Sequence, residues 1–109
     1  MDWKTLTSLE DWENTVAASQ EASIIVFKHS TRCSVSRMAL KLTERHWDLP
    51  SDVQAYLLDL LNHRDVSNAI AADLGVEHAS PQLLCIRNSK CVFSANHGNI
   101  DPVDVKPYL

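Results

Sequence analysis

Ile24-Ile25-Val26-Phe27-Lys28-His29-Ser30-Thr31-Arg32-Cys33-Ser34-Val35-Ser36 is the stretch from which the fold can be read. Its first part is a continuous, largely β-branched apolar run. It predicts a strand over residues 23–28 that is covered on both faces. Beyond it, Val35, Met38, Ala39 and Leu42 recur at helical spacing, so a helix is expected from about Cys33 to His46 with these residues turned to the core. A cysteine therefore stands where a strand ends and a helix begins. The unpaired N–H groups and positive dipole end of a helix N-terminus favour a thiolate over a thiol. Lys28, Arg32 and Arg37 add positive charge nearby. These flanks make Cys33 the candidate nucleophile.

Toward the N-terminus, residues 7–20 read as an amphipathic helix. Thr7 or Ser8 can cap it, Glu10 or Asp11 can close a capping box, and Leu9, Trp12 and Val16 form the apolar stripe. Toward the C-terminus, Leu49-Pro50-Ser51 breaks the chain and residues 53–58 predict a second strand. Asn62 is the expected N-cap of a third helix whose core face is Val66, Ala69, Ile70 and Leu74, closed by Gly75. A loop ending in Ser80-Pro81 precedes a strand over 82–87. Asn88-Ser89 then turns it into a partner over 90–95. Residues 96–99 are a loop, and Asp101-Pro102 starts a short terminal helix. The order α-β-α-β-α-β-β-α predicts a single α/β domain over residues 1–109, a four-stranded mixed sheet with helices on both faces.

Bulk composition narrows the function. A net charge of −4 argues against general nucleic-acid binding. No apolar run approaches the roughly 18 residues of a membrane span. The N-terminal residues lack a basic segment followed by an apolar one, so a soluble, cytoplasmic protein is expected. Three cysteines without a paired framework point to reduced thiols. Within this acidic chain, residues 28–45 carry Lys28, Arg32, Arg37, Lys41 and Arg45 against Glu44 alone, a basic segment around Cys33 suited to an anionic thiol. Cys85 and Cys91 fall on the two hairpin strands. With a two-residue turn, Ile86 faces Cys91 and Cys85 faces Val92, which places the two sulfurs on opposite faces. No metal site is expected, because cysteines and histidines lack paired ligand spacing.

The element order resembles the thioredoxin-like plan, with Cys33-Ser34-Val35-Ser36 at the place of the C-x-x-C motif and Ser36 replacing its second cysteine. The resemblance is closer still to the YtxJ family of monothiol bacilliredoxins. It is carried by Lys28-His29-Ser30-Thr31-Arg32-Cys33 with Ser36, by Gly75-Val76 with His78 and Ser80-Pro81-Gln82, and by His97, and it runs from about residue 6 to the C-terminus. Ser34 and Gly98 depart from it, standing where that family often has proline and tryptophan. The resemblance implies thiol–disulfide exchange with a low-molecular-weight thiol, bacillithiol, as co-substrate, and client proteins carrying mixed disulfides as partners.

On this reading Cys33 attacks, and Ser36 either donates its hydroxyl to the Cys33 sulfur or bonds back to the chain. Thr31 caps the helix in preference to assisting the thiolate. Arg32 pairs with a carboxylate of the thiol. The resemblance makes Pro81 cis, so that the Ser80 backbone pairs with an extended disulfide partner and Pro81 keeps metal from the thiolate. It also places His97 beside the thiol. Two other classes of function stay open: an iron–sulfur carrier using Cys33 and an external thiol, and a redox-inactive adaptor of thioredoxin shape.

Overall fold

Lys4–Thr5 (β1), Leu9–Ala18 (α1), Ile24–His29 (β2), Ser34–Arg45 (α2), Gln54–Asp59 (β3), Arg64–Leu74 (α3), Gln82–Arg87 (β4) and Lys90–Asn96 (β5) follow one another in the computed structural model, which describes residues 1–109. Two 3-10 segments, His97–Asn99 and Pro102–Tyr108, come last. The sheet order is β1-β3-β2-β4-β5; β1, β3 and β2 are parallel, and β4 and β5 are antiparallel additions. The α/β class is as expected, with five strands instead of four. The added strand, β1, pairs Lys4 and Thr5 with Tyr56 and Leu57; both of its residues are exposed and too few to show a periodicity.

Every residue of the central strand β2 is buried, as its unbroken apolar run predicts. Ile24 and Val26 face a layer built with Trp12 of α1, Val66 and Ile70 of α3, and Leu84 and Ile86 of β4. Ile25 and Phe27 face the opposite layer with Ala39 of α2, Leu83 and Cys85 of β4, and Val105 of the last 3-10 segment. Each fully buried aliphatic or aromatic side chain contributes about 1.5–3 kcal/mol. No helix is long and apolar enough to cross a membrane.

Local chemistry sets the element ends. Ser8 caps α1 by accepting the Asp11 N–H at 3.0 Å, and the Asp11 carboxylate accepts the Thr7 N–H and hydroxyl. Those Thr7 bonds hold the Asp11 carboxyl below its ordinary value. Leu9 is exposed, contrary to the expected stripe; Leu6, just before the helix, takes the core position instead. His63 rather than Asn62 is the residue before α3. The Asn62 amide is drawn to the Asp59 carboxylate, whose other oxygen accepts the Leu61 N–H. Gly75 closes α3 at φ +64°, a conformation in which a Cβ is strained. Asn88 and Ser89 both have positive φ, which matches the twist of the two strands they join. A bulge at Cys85/Ile86 moves Cys85 opposite Phe93 rather than Val92. The two hairpin cysteines still lie on opposite faces of the sheet, each in a different core layer.

Helix α2 departs most from expectation. It buries Ser36, Ala39 and Thr43 and turns Val35, Met38 and Leu42 outward, with Met38 65% exposed. Small side chains let α2 lie close to the sheet, and bulk beside it comes from Trp3 and Trp47. The two rings stand 5.7 Å apart, and Trp3 is 6.1 Å from Phe27. Trp3 Nε1 also donates to Glu44 of α2 at 2.8 Å.

Candidate active site

The end of β2 leads into α2. Lys28 of β2 pairs with Gln82, the first residue of β4, and Gln82 pairs with Asn96, the last residue of β5. The start of α2, the Ser80-Pro81 loop and the His97–Asn99 turn therefore leave the sheet at the same end. All seven candidate residues lie there.

Cys33 occupies the N-cap of α2 and is part-exposed, with extended backbone (φ −105°, ψ 122°) and no capping hydrogen bond from its side chain. Its carbonyl accepts the Arg37 N–H at 3.0 Å, and its own N–H donates to Ser30 at 3.2 Å. Thr31 is not the cap. It is exposed two residues upstream, and its carbonyl accepts from the Arg37 guanidinium at 3.0 Å. Arg32 is exposed and forms no ion pair in the chain.

Ser36 is fully buried beneath the first turn of α2. Its Oγ accepts the Ser30 N–H at 3.0 Å and lies 2.7 Å from His29 Nδ1. The hydroxyl thus joins the helix to the loop that presents Cys33 rather than to the sulfur itself. Burial holds the His29 imidazole below its ordinary value against the pull of Asp59; Arg37 adds to the depression and Glu44 opposes it. A neutral imidazole is the form that shares a buried site with a hydroxyl.

Lys28 does not lie beside the sulfur, contrary to the charge count. Alternation along β2 sends it to the α3 side, where Nζ donates to the Ser67 carbonyl at 3.1 Å and meets His78 Nδ1 at 3.3 Å. An ammonium can only donate, so Nδ1 is the acceptor and the His78 proton sits on Nε2. Burial pushes the Lys28 ammonium down to about 8, and burial, then Lys28 and Arg64, depress His78. Gln82 lies beside Lys28 on this face, its amide donating to the Glu77 carbonyl and to Asn96 Oδ1, both at 3.0 Å. These bonds tie the loop between α3 and β4 to the sheet from below.

The Ser80-Pro81 peptide bond is cis, as the resemblance implied, and Pro81 is buried. The Pro81 carbonyl accepts the His97 N–H at 2.9 Å, which locks the His97–Asn99 turn to this loop. His97 is exposed and has φ +55°. Cys85 is buried, which pushes its thiol up to about 11, and burial raises Cys91 as well, so both are biased toward the thiol over the thiolate. The anchoring roles of His29 and Gln82 were missed in the sequence. Their signal was there: each is a polar residue at the end of a strand whose middle is apolar.

The family profile of the monothiol bacilliredoxins BrxC matches residues 4–105. Among solved structures, a protein described only as an oxidoreductase candidate with a thioredoxin fold superposes with a TM-score of 0.82 at 27% identity, over 95% of this chain and 90% of that one. Thioredoxin of Malassezia sympodialis gives 0.75 at 14% identity, over 98% and 87%. Thioredoxin of Fasciola hepatica gives 0.74 at 16% identity, over 96% and 94%. The last two speak for the fold alone.

Proposed function

Because the chain belongs to the monothiol bacilliredoxin family, we propose that it is a thiol–disulfide oxidoreductase that removes a low-molecular-weight thiol, bacillithiol, from mixed disulfides on client proteins. The observation that carries this reading is a part-exposed Cys33 at a helix N-cap, at the same sheet end as a cis proline, with Ser36 three residues on where a second thiol would otherwise resolve it.

The Cys33 thiolate attacks the small-thiol sulfur of the mixed disulfide. The new bond joins Cys33 to that thiol, and the client cysteine leaves as a thiolate that takes its proton from water. One disulfide is consumed and one is formed, so no external oxidant or reductant enters. A second small-thiol thiolate then attacks the Cys33 adduct, releasing a symmetrical small-molecule disulfide and free Cys33. Cys33 acts from the N-cap of α2, at the positive end of that helix dipole. Ser36 and His29 hold the Ser30–Cys33 turn. Thr31 fixes Arg37 through its carbonyl, and Arg32 meets a carboxylate of the small thiol. The Ser80 backbone beside Pro81 pairs with the extended client segment, and His97 lines the thiol side. A reducing cytoplasm supplies the free thiol that the second step needs.

The test mixes reduced protein with a model client carrying a bacillithiol mixed disulfide and weighs both by mass spectrometry. The adduct is expected on Cys33 and absent in Cys33→Ala. Transfer from a glutathione adduct alone would keep the exchange and change the thiol; transfer from neither would end this reading.

A further inference from the structure

Helix α2 sends most of its large apolar side chains away from the sheet it packs on, keeping only Leu40 partly buried against the core. Its small residues Ser36, Ala39 and Thr43 are buried, while Val35, Met38 and Leu42 are 53%, 65% and 38% exposed. These positions are spaced i, i+3 and i+7, so the three side chains form one stripe running roughly 10 Å down the helix from the Cys33 end. Between this stripe and the His97–Asn99 turn lies a largely apolar hollow of about 150 Å³. Gly98 is part of its wall, and nothing lies within 4 Å of where a Cβ on Gly98 would stand.

Charge marks the outer border of the stripe. Lys41 and Arg45 follow Met38 at i+3 and i+7 on the side away from the hollow, and both are exposed. The chain's ion pairs are His46 with Asp101 and Lys106 with Asp48, so neither Lys41 nor Arg45 is neutralised from within. The one acid of α2, Glu44, is turned to Trp3. An apolar strip bordered by unpaired cations is complementary to a segment with apolar side chains flanked by carboxylates.

We propose that the outward face of α2 is a docking strip for client proteins, and that it selects clients whose segment beside the mixed disulfide carries apolar and acidic residues. This rests on the exchange reading above and adds to it which proteins are served. A second copy of the chain is a poor occupant. Stable pairs bury about 800 Å² on each partner, and three half-exposed side chains with one small hollow supply only a fraction of that.

The test uses two peptides, each with one cysteine in a mixed disulfide with bacillithiol. One is flanked by leucine and glutamate, the other by serine and lysine. Exchange with the full-length protein is expected to favour the first in kcat/KM by roughly tenfold, which corresponds to one modest contact set. A surface pair, Met38→Ser with Leu42→Ser, is expected to abolish the preference without changing exchange on the free small-molecule disulfide, and a charge pair, Lys41→Glu with Arg45→Glu, is expected to abolish the preference for the acidic peptide. Binding of the fluorescently labelled reduced peptides to Cys33→Ala, read by anisotropy, separates the two readings. Selective binding without exchange would sink the exchange chemistry and leave the strip standing. Exchange with equal rates for both peptides, or a preference that survives both variant pairs, would overturn the strip. So would a dimer dissolved by Met38→Ser with Leu42→Ser, or protein captured by anionic phospholipid vesicles in preference to the acidic peptide.

Discussion

Helices α2 and α3 flank the same sheet from opposite sides, and they spend their apolar residues in opposite ways. Val66 and Ile70 of α3 are fully buried under β2 and β4. Val35, Met38 and Leu42 of α2 face outward, and the helix meets the sheet through Ser36, Ala39 and Thr43 with Leu40 partly buried beside them. One helix is a clamp on the core, and the other is a carrier for what lies at its N-terminus. The strand beneath them repeats the division. Consecutive residues Lys28 and His29 point to opposite faces, Lys28 to the α3 carbonyl of Ser67 and His29 to Ser36 of α2. An amphipathic pattern therefore says that a helix has two faces, and it leaves open which of them the protein keeps for itself.

The strongest way to break this comparison is to truncate one apolar side chain in each helix. Ile70→Ala is expected to cost about 2–5 kcal/mol in urea unfolding, because its cavity is sealed on all sides. Met38→Ala is expected to stay within about 0.5 kcal/mol. Equal losses would place α2's apolar face in the core and end the contrast.

The next effect is alkaline and belongs to the α3 side. The folded state holds Lys28 at about 8 instead of 10.5, so it binds fewer protons than the unfolded chain between those values. Stability is therefore expected to rise with pH across that window by about 3 kcal/mol relative to a Lys28→Met variant, followed by denaturant titrations at each pH. A constant difference between the two proteins from pH 7.5 to 10.5 would show Lys28 to be solvated.

Ser36→Ala probes the α2 side. It leaves the buried His29 nitrogen and the Ser30 N–H without a partner, at an expected cost of about 1–3 kcal/mol in the same measurement. If the Ser36 hydroxyl only anchors the Cys33 turn, client exchange slows in step with local loosening of Ser30–Cys33, seen as faster amide exchange there. An unchanged amide pattern with slower chemistry would give the hydroxyl a direct role at sulfur.

The smallest effect lies on the acid side. His29 and His78 are both held below their ordinary value, so their neutral folded forms are favoured above about pH 6.5. Stability is lost as pH falls from there toward the depressed folded values. His29→Gln and His78→Gln are each expected to flatten part of that decline in melting temperature, the first from beneath α2 and the second from beside α3. A decline unchanged in both would assign it to carboxylates instead.

Much of the fold was legible because its signals are short-range. The β2 run, the Ser8 and Asp11 cap, the Gly75 stop and the Asn88-Ser89 turn each depend on a handful of neighbouring residues. What was not legible depends on partners far along the chain. Strand β1 exists only because Tyr56 and Leu57 offer an edge. The outward turn of Met38 goes with a core layer that Trp3 and Trp47, from distant parts of the chain, help to fill. Lys28 looked like a charge for Cys33 until alternation along β2 sent it to the other face. The bulge at Cys85/Ile86 leaves no mark in a sequence that pairs well in plain register. At the site, Cys33 and Ser80-Pro81 were readable from the motif, whereas the linkage of Ser36 to His29 needed the buried geometry.

The hairpin tip carries a practical consequence. Exposed two-residue turns are common choices for inserting an affinity tag or a reporter loop. Here the Asn88 N–H donates to the Ser19 carbonyl, and the Ser89 N–H to the Ser19 hydroxyl, each at 2.8 Å, with Gln20 reaching the Ser89 hydroxyl. The turn is a clasp that holds the end of α1, some seventy residues away in the chain. An insertion between Asn88 and Ser89 would unfasten that helix, so a tag on this protein belongs on the exposed Ser51-Asp52 corner instead.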